Sequence, residues 1–178
     1  KKPGVEQIIF PLLPSVYSPV THEINDGKYE RAVWHFKDSY ETHLRGLGRT
    51  QEQAQAEAKD WPKGKRVLVP FAGSGIDSWL AFHAFKKTTG WSPDLTAIDL
   101  NPLAVANIKI LAKQAGISIN ALVQPIESME GEFDLVFGNM PSYHHGPYPA
   151  GSHETLVKKH DGDEEGAVLK AMAKRFLS

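Results

Sequence analysis

The spacing of hydrophobic residues changes character near residue 63 of this chain. Before that point, apolar and aromatic residues over 29–47 recur at steps of three and four, which predicts one face of an amphipathic helix. Thr50 with Gln53 three residues later forms a capping-box pattern, so a second helix is expected from there to about Asp60. Residues 1–25 are rich in proline, which excludes one continuous helix and predicts an extended arm.

After residue 63, strand patterns and helix patterns alternate. The apolar run over 66–71 is typical of a buried parallel strand, and Gly73 with Gly75 predicts a tight turn into a helix. The further elements expected in chain order are a helix over 76–87, a strand over 94–100, a helix over 102–115, strands over 117–123 and 132–139, a loop over 140–162 and a helix over 164–177. Short connections between such elements indicate an α/β fold with a parallel sheet.

Local signals mark the ends of the central helix of this series. Asn101 and Pro102 suit the N-cap and the first helical position, and Gly116 suits the position after the last helical residue. We therefore predict a Rossmann-like, doubly wound parallel sheet with visible strand order 3-2-1-4 and an N-terminal helical extension. The expected division is an arm with helices over residues 1–62 and a ligand-binding domain over 63–178.

Composition narrows the classes of function. The 178 residues include 41% hydrophobic and 23% charged residues, values typical of a globular domain, and the formal net charge of −1 argues against a large polyanionic partner. The absence of cysteine excludes disulfides, zinc–thiolate sites and cysteine nucleophiles, and it fits a cytoplasmic location. No apolar run approaches the ~20 residues that a membrane span needs, so no membrane partner is expected. Composition leaves the oligomeric state open.

Three segments carry candidate chemistry. In the first, at 67–75, the glycine turn would let a ligand approach the backbone and the free N–H groups of the following helix. In the second, Asp99 ends a strand beside that turn, where a carboxylate can accept both hydroxyls of a ribose. In the third, Asn139 follows a strand and precedes Pro141 and an aromatic residue, so its amide could accept a hydrogen bond from a planar NH₂ group. Such a contact would orient the nitrogen toward a methyl donor.

The segments VLVPFAGSG at 67–75, AIDLNPLAVANIKILAKQAG at 97–116 and FDLVFGNMPSY at 133–143 stand in a recognisable order. Together they resemble the class I S-adenosylmethionine-dependent methyltransferases with an Asn-Pro-Pro-Tyr signature, over roughly residues 64–178. Enzymes of that group methylate planar nitrogens, either exocyclic amines of adenine or guanine or the glutamine side chain of release factors. The segments at 16–23 and 154–177 resemble parts of the release-factor glutamine methyltransferases, which favours a protein acceptor over RNA or DNA.

The resemblance implies S-adenosyl-L-methionine as the cofactor, with Asp99 on its ribose and the two glycines beside its methionine part. The implied cofactor-binding residues are Phe71, Ala72, Gly73, Gly75, Asp99, Leu100, Glu127 and Asn139. The implied catalytic residues are Asn139, Pro141 and Tyr143, the first two holding the acceptor nitrogen. A complete sheet of this class has seven strands, so the four visible here predict an unfinished sheet.

The chain departs from the group's pattern at several positions. Val69 stands where the group has an acid, and near Ile126, where it has a second acid, only Glu127 is close. Met140 replaces the first proline of the signature, and Tyr143 is displaced by one residue. A methyltransferase fold that has lost catalysis and serves as a partner protein is therefore an alternative.

Two other readings compete with a methyltransferase. The glycine turn and Asp99 would also suit an NAD-binding oxidoreductase, but Ser78 stands where the third glycine of that fingerprint belongs. Histidines crowd the segment 144–160, yet their spacing matches no zinc motif, and no metal is expected. We expect that segment to meet substrate or solvent.

Overall fold

A computed structural model of the chain describes residues 13, 16 and 28–138. The helices are α1 (Lys28–Gly46), α2 (Gln51–Asp60), α3 (Ile76–Thr89) and α4 (Pro102–Ala115), and a 3₁₀ turn covers Ile126–Ser128. The strands are β1 (Arg66–Pro70), β2 (Asp94–Asp99), β3 (Asn120–Val123) and β4 (Leu135–Val136). The predicted loop over 140–162 and the predicted helix over 164–177 lie outside the described residues.

The four strands form one parallel sheet in the order β3-β2-β1-β4, which confirms the predicted order. β1 is the central member, since Val67 pairs with Leu95 on one side and with Leu135 on the other. The chain moves outward from β1 to β2 and β3, and then returns to the opposite side of β1 for β4. The order therefore reverses between β1 and β4, at the place where open α/β sheets hold their ligands.

The predicted caps are present. The Asn101 side chain accepts a hydrogen bond from the Leu103 amide at 2.9 Å, and Pro102 is the first helical residue of α4. The capping box of α2 is complete, because Thr50 and Gln53 each bond the other's backbone N–H. α1 covers Lys28–Gly46, within one residue at each end of the predicted 29–47.

Two strands are shorter than the sequence predicts. β3 begins at Asn120 rather than 117, because the Ile117 amide donates to the Ala112 carbonyl and so belongs to the end of α4. β4 contains only Leu135 and Val136 of the predicted 132–139. In the preceding residues, Phe133 packs into the core, and the Asp134 carboxylate bonds the start of β1 through the Arg66 amide at 2.8 Å.

Three smaller differences concern where elements end. β1 ends at Pro70, one residue early, because Phe71 has a left-handed backbone with φ 55°. β2 ends at Asp99 instead of residue 100, and α3 extends two residues past 87 to Thr89, where Gly90 terminates it. These shifts leave the carboxyl ends of β1 and β2 side by side.

The core lies on both faces of the sheet. Val67 and Val69 point to the face that carries α3 and α4, and Tyr29 and Val33 of α1 join the same cluster. Leu68 points to the other face, into a smaller cluster whose other buried members are Ile98, Ile126, Met129 and Phe133. None of the helices in the described part of the chain combines the length and apolar character needed to cross a membrane. The predicted division between residues 62 and 63 stays a prediction, although α1 shares its core with the sheet.

Candidate functional site at the carboxyl ends of the strands

The turn that leaves β1 is built from left-handed backbone conformations. Phe71, Gly73 and Gly75 have φ values of 55°, 48° and 87°. The Ala72 amide donates to the Ile98 carbonyl at 3.0 Å, and its carbonyl accepts from the Gly75 amide at 2.8 Å. Because left-handed φ is unfavourable for a bulky residue, Phe71 is held there by its surroundings, as strained residues at ligand sites often are.

The two glycines of the turn serve different purposes. A side chain at Gly75 would place its Cβ 2.9 Å from Ile108 Cγ1 and 3.2 Å from Leu111 Cδ2, so this glycine allows α4 to pack against the turn. A Cβ at Gly73 would meet only the Phe71 carbonyl, at 3.9 Å. The space beside Gly73 is therefore uncrowded, and a ligand could come close to the backbone there.

Asp99 is fixed beside this turn by two backbone amides. Its Oδ2 accepts from the Gly73 amide at 2.8 Å, and its Oδ1 accepts from the Asn101 amide at 2.8 Å. Each carboxylate oxygen can accept more than one hydrogen bond, so both keep capacity for a ligand hydroxyl. The structure thus brings Gly73 and Asp99 together, as the sequence predicted, and it adds a direct bond between them.

The remaining predicted cofactor residues differ in accessibility. Leu100 follows Asp99 and is partly exposed, and Glu127 lies exposed on the 3₁₀ turn after β3. Ala72 is buried in the core, so it offers only backbone atoms to a ligand. Val69 and Ile126, the positions where the resemblance expects acids, are both buried in the hydrophobic clusters.

Asn107 is a site residue that sequence reasoning missed. It is fully buried on α4, and its Nδ2 donates to the Ser74 carbonyl of the glycine turn at 2.7 Å. Its Oδ1 accepts from the Leu13 amide at 2.9 Å, so it ties the N-terminal arm to the turn. The sequence contained one indication of this role, because Asn107 is a polar residue on the face of α4 whose other members are apolar.

Tyr29 closes the site from the side of α1. Its hydroxyl donates a hydrogen bond to Asp77 Oδ1 in the first turn of α3. Its ring lies 5.5 Å from the Phe137 ring, which directly follows β4. α1 therefore packs against α3 and reaches the residue that follows β4 through Tyr29, a placement that periodicity alone could not decide.

The predicted catalytic residues Asn139, Pro141 and Tyr143 lie outside the described residues, as do Met140 and the histidines of 144–160. The last described residue, Gly138, lies close to β1, since a Cβ there would stand 3.3 Å from Pro70 Cγ. Within 28–138 and the two arm positions, no three acidic or histidine side chains gather into a potential metal site.

No protein-family model and no curated protein matches the chain. Among solved structures, the SAH-bound methyltransferase PaMTH1 of Podospora anserina aligns over 91% of this chain and 68% of its own, with 18% identity and a TM-score of 0.42. A coclaurine N-methyltransferase bound to N-methylheliamine and SAH aligns over 68% and 43%, with 14% identity and a TM-score of 0.36. Thermoplasma acidophilum 1320 aligns over 70% and 64%, with 20% identity and a TM-score of 0.34. The chain spans less than two thirds of the latter two, and similarities this low assign it no activity.

Proposed function

We propose that this chain binds S-adenosyl-L-methionine across the carboxyl ends of β1, β2 and β4 and transfers its methyl group to a planar nitrogen. One observation carries the proposal: the half-buried Asp99 carboxylate is bonded to the amide of Gly73, the glycine of the turn whose surroundings are uncrowded. A nucleoside ligand needs acceptors for its ribose hydroxyls beside backbone that it can approach. Asp99 supplies the acceptors, and Gly73, to which it is directly bonded, supplies the accessible backbone.

The residues fit such a cofactor. With the ribose hydroxyls on Asp99, the partly exposed Leu100 is available for the adenine, and Gly73 leaves room for the thioether chain to pass along the turn. The turn is held by backbone hydrogen bonds, by the buried Asn107 side chain and by the half-buried Asp99 carboxylate, so protein groups alone define its shape. Pre-formed sites of this kind are typical of cofactor pockets.

The cofactor's sulfonium supplies an activated methyl group when it is bound. In the proposed reaction, the acceptor nitrogen's lone pair would form the new bond to that methyl carbon as the carbon–sulfur bond breaks, so that the sulfur would leave as a neutral thioether. The nitrogen then loses a proton to water. Asn139, the residue after Gly138 in the sequence, would hold the NH₂ group through its side-chain carbonyl, with Pro141 and Tyr143 shaping the pocket. Positioning of this kind lowers the barrier without a strong base.

The first candidate acceptor is the glutamine side chain of a protein, and the second is the exocyclic amine of a base in RNA or DNA. The net charge of −1 supports the protein acceptor, because a binder of nucleic acid normally carries a basic excess. Salt separates the two. Binding to nucleic acid should weaken steeply as salt increases, whereas binding to a protein need not. A cytoplasmic location accompanies both readings as a prediction.

Calorimetric titration with S-adenosyl-L-methionine, S-adenosylhomocysteine and, as a control, NADH tests the cofactor. Saturable binding of the first two with none of NADH is the expected result, and binding of NADH alone would move the chain to the oxidoreductases. Once an acceptor is found, Asn139→Ala should abolish most turnover, and its loss of cofactor affinity should be smaller than the loss caused by Asp99→Asn. Cofactor binding without turnover on any acceptor would instead favour a non-catalytic partner protein.

A further inference from the structure

A half-buried carboxylate without a cationic partner lies at the start of α3. Asp77 comes two residues after Gly75, and within the described residues its one hydrogen bond comes from the Tyr29 hydroxyl. None of the ion pairs found in that part of the chain includes it. Its second oxygen, Oδ2, is thus available. A carboxylate oxygen with spare acceptor capacity and no cation beside it can bind a positively charged ligand.

The contacts of Tyr29 indicate where the Asp77 carboxylate lies relative to the sheet. Its ring packs on Phe137, whose amide donates to the Leu68 carbonyl of β1 at 2.9 Å. Tyr29 therefore links the first turn of α3, which follows β1, to the residue after β4, and so lies near the gap between the carboxyl ends of those two strands. The gap is the point at which the strand order reverses, away from Asp99 at the end of β2.

Asp99 bonds the glycine turn from the end of β2, and Asp77 follows the same turn on α3, beside the contact between Tyr29 and Phe137. If Asp99 holds the ribose, with the adenine toward Leu100, the other end of the cofactor extends past Gly73 toward β4. That end is an amino acid, whose ammonium group carries a full positive charge and three N–H donors. We propose that Asp77, held in place by the Tyr29 hydroxyl, binds this ammonium group. The inference rests on the proposed function and adds a binding residue, Asp77, and a positioning residue, Tyr29.

The contacts of Asp77 indicate which of its atoms would bind the ammonium group. The Tyr29 hydroxyl donates to Asp77 Oδ1, which restrains the orientation of the carboxylate. Oδ2 and the second lone pair of Oδ1 then remain to accept the ammonium hydrogens. An ammonium–carboxylate contact is a charge-assisted hydrogen bond, roughly twice as strong as a neutral one. The N-terminal end of α3 stabilises the same carboxylate while the ligand is absent.

The test compares two ligands that differ only at the amino-acid end. S-adenosylhomocysteine carries the ammonium, and methylthioadenosine has the same nucleoside and thioether without it. Both are titrated calorimetrically into the wild type, Asp77→Asn and Tyr29→Phe. Asp94→Asn is the matched control, because Asp94 is an exposed aspartate at the opposite end of the sheet. Asparagine keeps an oxygen that can accept from Tyr29, so Asp77→Asn removes the charge while α1 stays anchored.

We expect Asp77→Asn to weaken S-adenosylhomocysteine binding about tenfold or more and to leave methylthioadenosine binding within about twofold. Tyr29→Phe should show the same selectivity with a smaller loss of about threefold, and Asp94→Asn should match the wild type. Equal losses for both ligands, or no loss, would give Asp77 a purely structural role and overturn the inference. A wild type that binds neither ligand overturns the proposed function together with the inference, and the wild-type titration alone reveals that case.

Discussion

The side-chain amide of Asn107 on α4 donates a 2.7 Å hydrogen bond to the backbone carbonyl of Ser74 in the glycine turn. Both residues are buried, and the same side chain also accepts from the Leu13 amide. A buried amide with partners on both ends holds its neighbours in one arrangement, because losing either partner would leave a polar group unsatisfied. The glycine turn is thus supported by a residue more than thirty positions away in sequence.

Replacing Asn107 should therefore destabilise the fold. Asn107→Ala leaves the Ser74 carbonyl and the Leu13 amide without their partner and opens a small cavity, so we expect the free energy of unfolding to fall by about 2–3 kcal/mol. Urea denaturation measures the change. Asn120→Ala, at an exposed position of β3, is the control and should stay within about 0.5 kcal/mol of the wild type. Equal effects of the two substitutions would contradict a supporting role for Asn107.

Gly75 and Gly90 form a matched pair, because both have φ values above 80° and only one is crowded. A Cβ at Gly75 would meet Ile108 Cγ1 at 2.9 Å, whereas a Cβ at Gly90 would meet nothing within 4 Å. Gly90→Ala should cost about 1 kcal/mol for its backbone conformation, and Gly75→Ala about 3 kcal/mol because α4 must also shift. The difference between the two melting curves isolates the overlap. Similar losses of stability in the two variants would mean that α4 can shift away from a Cβ at position 75 at no cost in free energy.

Asp99 should behave differently from Asp77 toward the same two ligands. Both S-adenosylhomocysteine and methylthioadenosine contain the ribose, so Asp99→Asn should weaken both by about tenfold or more. An asparagine there also presents an NH₂ group to the Gly73 or Asn101 amide in place of an acceptor. Titration calorimetry reads out the change, with Asp94→Asn again as control. Unchanged affinity for methylthioadenosine would remove Asp99 from the ribose site.

Ser78 is expected to be a weak point of α3. Its hydroxyl is fully buried and has no hydrogen-bond partner in the described part of the chain. Ser78→Ala removes this unsatisfied group and introduces a better helix former, so the free energy of unfolding should rise by about 1 kcal/mol. Ser92→Ala, at an exposed turn position, should change it by less than about 0.5 kcal/mol. A loss of stability at position 78 would show that the hydroxyl does have a partner in solution.

The sequence by itself determined the order and type of the described elements. The caps at Thr50 and Asn101, the terminating Gly116 and the apolar run of β1 act over a few residues, so they can be read without the fold. The order β3-β2-β1-β4 and the closeness of Gly73 and Asp99 follow from the same pattern, because right-handed crossovers bring the ends of successive parallel strands together.

Only the tertiary structure decided which residues hold that site together. Asn107 bonds Leu13 across 94 positions, and Tyr29 bonds Asp77 across 48, and neither pair has a local signature. The tertiary structure also decided the lengths of β3 and β4. The Ile117 amide bonds the last turn of α4, and Phe133 packs into the core instead of pairing with a neighbouring strand. The physical reason is the same in each case. A long-range hydrogen bond or a buried ring stabilises the fold most where packing excludes water. That packing exists only once the helices and the sheet have assembled, so the local sequence does not show it.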